Sequence, residues 1–175
     1  MITTSEQSDI TNTRHVFRLL VLYRWISLIP PLLSLISTDD TARQVAALVI
    51  AALVNLFITF FPSQLNASVR QRPLLLLVDF IFCAALARFS GGWNTPYYLY
   101  AFSPLLAAAF FFELRGALFS ASGMALLFVV SGVGVTPNQN WLSLVAQVVG
   151  FFLIAGAFGY ATTLMARLTS SNVEL

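Results

Sequence analysis

The chain contains no lysine. Its nine positive side chains are all arginine, set against seven acids, and charged residues fill only 9% of the 175 positions. Soluble domains carry roughly 25% charge, so a fold solvated by water on all sides is excluded. The net charge of +2 is gathered into no run, which leaves no basic patch to grip nucleic acid. Cysteine occurs once, at Cys83 inside an apolar run, so there is no intrachain disulfide, no CxxC pair and no thiolate metal cluster. Histidine also occurs once, as His15 beside Arg14 at the membrane edge, a weak basis for haem ligation. Carboxylates paired for acid/base work, HExxH and GxGxxG are all missing, and no catalytic residue can be named. Met1 to Asn12 is polar, with Glu6 and Asp9, and lacks the basic start and short apolar core of a cleavable leader. The first apolar segment is therefore expected to stay in the mature protein.

What is present is hydrophobic, 58% of the chain. A helix crosses about 30 Å of hydrocarbon with roughly 20 residues, or about 17 when its flanks snorkel. Six stretches meet or approach that length: Val16 to Ile36, Val45 to Phe61, Leu74 to Arg88, Tyr97 to Phe112, Ala117 to Val135 and Leu142 to Met165. The breaks between them hold charges, prolines or turn-forming amides: Ser37 to Thr41, Pro62 to Pro73, Gly91 to Tyr97, Glu113 to Gly116 and Thr136 to Trp141. The runs are apolar on every side rather than alternating, which argues against a barrel. The expected fold is an all-α integral membrane bundle of six transmembrane helices, because each span must satisfy its own backbone in lipid. Residues 1–12 read as a polar cytoplasmic tail, 13–167 as the bundle, and 168–175 as the start of a cytoplasmic helix.

Arginine placement sets the orientation. With the amino terminus in the cytoplasm, that side collects Arg14, Arg18, Arg70, Arg72, Arg115 and Arg167, and the far side only Arg43 and Arg88. Both termini are then expected in the cytoplasm, and Trp93, Tyr97, Tyr98 and Tyr100 near the outer headgroups. A five-span alternative, with the third and fourth segments merged as a re-entrant hairpin, would put the carboxyl end outside.

Two features carry the candidate chemistry. Gly91-Gly92-Trp93-Asn94-Thr95-Pro96-Tyr97 is a glycine-rich and polar interruption between two apolar runs, a poor helix and a candidate shallow binding surface. Arg24 and Asp79 are charges well inside apolar segments, each about 10 Å deep at about 1.5 Å per residue, and could pair as an intramembrane ion pair. Cys83, one turn beyond Asp79, reads as packing. Small residues at Ala47/Ala51, Ala117/Ala121 and Ala155/Gly159 suit close helix contact, either within one bundle or, through Ala155, Gly156 and Gly159, in a dimer. Pro30, Pro31 and Pro104 fall inside spans and predict bends. Leu164, Leu168, Ser171 and Leu175 follow the spacing that starts a two-stranded coil.

With Tyr23-Arg24-Trp25-Ile26 in the first helix, the glycine-rich heptapeptide after the third, Tyr97-Tyr98-Leu99-Tyr100-Ala101 opening the fourth and Phe111 to Gly116 closing it, the chain resembles the six-helix amino-terminal membrane region of bacterial sensor histidine kinases, including the redox-responsive RegB/PrrB class. That class carries a GGxxNPF heptapeptide, implicated in ubiquinone sensing, between its third and fourth helices. Gly91, Gly92, Pro96 and aromatic Tyr97 match the pattern; Thr95 stands at the family's asparagine, and Asn94 is displaced by one. The resemblance implies a signal-input domain working as a homodimer in the lipid bilayer, a quinone ligand, and a cytoplasmic kinase core with its response regulator. No phospho-accepting histidine box or ATP-binding segment occurs in these residues. The full-length protein would resemble a histidine protein kinase. Two rivals stay open: a small transporter-like bundle, and a structural membrane subunit of a respiratory or photosynthetic complex.

Overall fold

The structure, a computed structural model, describes residues 18–36, 41–60, 74–135 and 140–171. The tail 1–12, His15, the break from Pro62 to Pro73 and Leu175 lie outside the described residues. Those that are described form helices and turns, with no strand among them. Helix α1 covers 18–26 and, after a two-residue turn, α2 covers Ile29–Ser34. Next come α3 (Thr41–Phe60) and α4 (Leu74–Ser90), two single 3-10 turns (Gly92–Asn94 and Pro96–Tyr98), α5 (Phe102–Gly132) and α6 (Trp141–Ser171).

Three stretches are long and apolar enough to cross a bilayer: Ala42–Phe60, Pro96–Gly132 and Trp141–Leu168. Their outer faces carry large apolar side chains with no protein cover, such as Phe119, Leu126 and Leu153 at 83%, 68% and 66% exposure. Such faces are stable only against lipid, so the domain is a membrane protein.

Helix α5 is not one rod. Thirty residues of straight helix would separate its ends by about 45 Å, yet Gly92, just before it, lies so close to Gly132 at its end that a methyl group on Gly92 would sit 3.1 Å from the Gly132 Cα. The chain doubles back at Glu113, whose φ of 55° and ψ of −159° interrupt the helix. The turn expected across Glu113 to Gly116 is thus compressed to a single non-helical residue. A descending arm, 102–112, and an ascending arm, 114–132, result.

Helix α6 packs along this hairpin, with Phe151 set edge-on to both Phe102 and Phe128 at centroid separations of 5.3 and 5.0 Å. Its lower part closes on the turn: a methyl group on Gly159 would stand 2.8 Å from the Leu114 Cα. Leu114 N donates to Thr163 Oγ1 at 3.3 Å and Thr162 Oγ1 donates to Ala109 O at 3.0 Å. Ala47, Ala51, Ala117, Ala121 and Ala155 are fully buried in this chain's own core. Ala155 and Gly159 therefore face inward, which takes them out of the dimer face considered from spacing alone.

The prolines sit at helix starts, and the first span is interrupted at 27–28, directly ahead of Pro30 and Pro31. Pro30 and Pro31 begin α2, and Pro104 lies in the first turn of α5, where its missing N–H would have had no intrahelical acceptor.

Candidate functional site

The break between α1 and α2 frees the Arg24 carbonyl, because Leu28 N turns to Trp25 O instead. A free carbonyl in a lipid-embedded helix needs a new donor. Asn55 Nδ2 supplies one at 3.2 Å and Ser27 Oγ another at 2.8 Å. The same two residues, Arg24 and Asn55, meet again through their side chains, Arg24 Nε donating to Asn55 Oδ1 at 3.1 Å.

Around this pairing four elements converge. Arg24 Nη1 and Nη2 donate to the two oxygens of Asp79 on α4, at 2.6 and 2.9 Å, a bidentate pair. Nη2 also donates to Tyr100 Oη at 2.6 Å, and Tyr100 Oη donates to Asn55 Oδ1 at 2.7 Å. The guanidinium lies over the Tyr100 ring, 4.7 Å from its centroid. Arg24, Asn55 and Tyr100 are buried, and Asp79 is half-buried. A charge taken from water is tolerated where it is paired and hydrogen-bonded, and here each of the three guanidinium nitrogens finds an acceptor on α3, α4 or the segment leading into α5.

The heptapeptide is built in three steps. Gly91 and Gly92 take φ values of 129° and 65°, open to glycine and strained for other residues. Gly92 then lies against Gly132 and Val135, and any side chain on Gly132 would strike the Trp93 indole, so the loop interlocks with the ascending arm of α5. Finally Thr95 caps the second 3-10 turn, its Oγ1 accepting from Tyr97 N at 3.1 Å and meeting Ser90 Oγ at 2.5 Å, with Pro96 as the turn's first residue. Asparagine at this place would cap equally well.

The heptapeptide side chains do not converge on one open surface. Trp93 is buried, donating to Phe128 O and Val129 O at 3.2 Å each and packing on Trp141 at 5.0 Å between centroids. Tyr97 is buried with its hydroxyl toward Gln44 O at 3.4 Å. Asn94 is exposed. Tyr100, expected at the headgroups, instead points inward onto Arg24, and Tyr23 Oη donates to Leu99 O at 2.9 Å beside it. The segment 91–101 therefore runs from the loop down to the buried arginine.

Sequence reasoning singled out Arg24, Asp79 and the loop but missed Asn55, Tyr100, Gln44 and Gln147. A signal was available. Gln44, Ala47, Ala51 and Asn55 form the buried stripe of α3, and Leu144, Gln147, Phe151 and Ala155 that of α6, so each amide shares the face of small or aromatic core residues. Among the described residues no group of His, Cys, Asp and Glu could hold a metal ion.

The family of domains whose sequence pattern matches residues 13–166 is one of unknown function, DUF8745, and the chain belongs to it. No curated protein and no solved structure matches the chain.

Proposed function

We propose that this domain is the membrane signal-input region of a two-component sensor histidine kinase, sensing the redox state of the quinone pool at the Gly91–Tyr97 loop. In this reading the chain crosses a bacterial inner membrane six times, as 18–36, α3, α4, residues 96–112 including the descending arm of α5, the ascending arm of α5, and α6. Both ends are cytoplasmic and the loop is on the outer side. It acts as a homodimer and passes its state to a kinase core and response regulator supplied by sequence outside these residues.

The observation that carries the reading is the unbroken path of polar contacts from loop to bundle. Ser90, Thr95 and Tyr97 bond within and beneath the loop, and three residues after Tyr97 the chain places Tyr100 on Arg24, which grips α3 and α4 together. A displacement of the loop shifts Tyr100, and a shift of Tyr100 changes which acceptors hold the arginine. Two discrete packings biased by a ligand are what signal input requires. Helix α6 is suited to output: its 31 residues span about 46 Å, more than the hydrocarbon thickness, and its lower half is fastened to the Glu113 turn through Thr162 and Thr163.

A chimaera tests this. The chain, placed ahead of a histidine kinase core in membrane vesicles, should give autophosphorylation that follows the redox state of added quinone, and Tyr100→Phe should blunt that response. Autophosphorylation indifferent to quinone in either state would overturn the reading.

A further inference from the structure

Among the described residues two buried side-chain oxygens have no hydrogen-bond partner, Gln44 Oε1 and Gln147 Oε1. Both belong to amides that hold the same loop. Gln44 Nε2 donates to Ser90 O at 2.8 Å, at the loop's entrance, and Gln147 Nε2 donates to Trp93 O at 2.9 Å, at its middle. The two glutamines are 9% and 7% exposed, one on the buried face of α3 and the other on that of α6. Each therefore anchors a loop carbonyl with its nitrogen and leaves its own carbonyl oxygen unsatisfied, an arrangement a folded protein retains only for a reason.

The donors around the loop are in the opposite condition. Trp93 Nε1 is shared between two α5 carbonyls, Tyr97 Oη is directed to Gln44 O and Ser90 Oγ to Leu86 O. Ser143 Oγ is directed to Trp93 O, and Thr95 Oγ1 meets Ser90 Oγ. Among the described residues the buried side-chain atoms left with no partner at all, the two glutamine oxygens, are thus both acceptors.

We infer that the loop site binds a ligand which donates hydrogen bonds, a lipid-soluble aromatic diol of the hydroquinone type, and discriminates against its oxidised, carbonyl-bearing form. The inference rests on the quinone reading above and deepens it by fixing which redox form is bound. A hydroquinone offers O–H groups at opposite edges of a flat ring, suited to glutamine oxygens and to stacking beside Trp93 and Trp141. The quinone offers only carbonyl oxygens, and acceptor facing acceptor repels. Both glutamine oxygens are covered, so the ligand reaches them as the loop yields. The loop's own turns are closed by long bonds, Asn94 N to Gly91 O at 3.4 Å and Thr95 N to Gly92 O at 3.2 Å. Binding the reduced form would then exchange weak turn bonds for satisfied glutamines, moving the segment that carries Tyr100.

The full chain, reconstituted in phosphatidylcholine vesicles under anaerobic conditions, is titrated with a tritiated short-chain 1,4-benzohydroquinone and separately with the matching benzoquinone. The unaltered chain should bind the hydroquinone more tightly by about tenfold, the equivalent of one good hydrogen bond. Gln44→Met and Gln147→Met should each reduce that preference, read as the ratio of the two affinities. Equal affinity, or tighter binding of the quinone, overturns this inference and leaves quinone sensing standing. Binding of neither form overturns both. The comparison of the two probes on the unaltered chain needs no variant to fold.

Discussion

Arg24 is held by acceptors on three different elements, so its removal leaves more than one vacancy. With Arg24→Ala, the Asp79 carboxylate stays partly buried without its counter-charge and Asn55 loses a donor, an expected loss of about 3–5 kcal/mol in line with breaking other buried pairs. Thermal melting in detergent micelles measures it. Exchanging the charges, Arg24→Asp with Asp79→Arg, should recover only part of the loss. Asn55 Oδ1 and Tyr100 Oη are placed for a guanidinium on α1, and after the exchange both would face a carboxylate. Full recovery would show that the pair acts alone. Tyr100→Phe is gentler: it removes one accepted and one donated bond while keeping the ring under the guanidinium, about 1–3 kcal/mol on the same assay. The two charges were legible in the sequence because an ionised group inside an apolar run is conspicuous. Asn55 and Tyr100 were not: an amide is ordinary among helix residues, and tyrosine close to a turn has an obvious alternative at the membrane interface. Only the α1–α2 break, which exposes the Arg24 carbonyl, shows why an amide is needed opposite it.

At the scale of elements, the placement of apolar segments was readable from length and hydropathy, whereas how they join was not. The fourth segment was expected to begin at Tyr97, but α5 starts at Phe102, since Thr95 and Pro96 first spend a 3-10 turn steering the chain inward. The reversal at Glu113 was marked by a short polar run, yet nothing in that run announces that one residue suffices. The residue bears the cost. Glu113 is the only non-glycine with positive φ among the described residues, and with ψ near −159° it occupies backbone territory that suits glycine. Its side chain is exposed, so Glu113→Gly should stabilise the hairpin by about 1 kcal/mol, read as a raised melting temperature, through relief of strain. A lowered one would mean that the carboxylate itself holds the turn. The opposite substitution applies at the loop: Gly132→Ala drives a methyl group into the Trp93 indole and should displace the loop, seen as altered Trp93 fluorescence in a background with Trp25 and Trp141 replaced by phenylalanine.

For the whole molecule, six crossings follow if each helical segment traverses the bilayer, and the contacts order them by depth. Gln44, Ser90, Trp93, Gly132 and Ser143 meet at one end of the bundle, and Ala109, Leu114, Gly159 and Thr163 at the other. Asn94 is exposed at the first end and Arg115 at the second. With Cys83 replaced by alanine, a membrane-impermeant maleimide should label Asn94→Cys in intact cells and Arg115→Cys only in inverted vesicles. The proposed orientation places the second end in the cytoplasm, on the strength of the arginine count of six against two, because positively charged flanks are retained there. The distance between the two sites is that of the ascending arm, 19 residues or about 28 Å, close to the hydrocarbon thickness. Labelling of both cysteines from the same side would mean that the α5 hairpin dips into one leaflet without crossing, that the loop and the Glu113 turn share a compartment, and that the signal path from Tyr100 to α6 does not span the membrane.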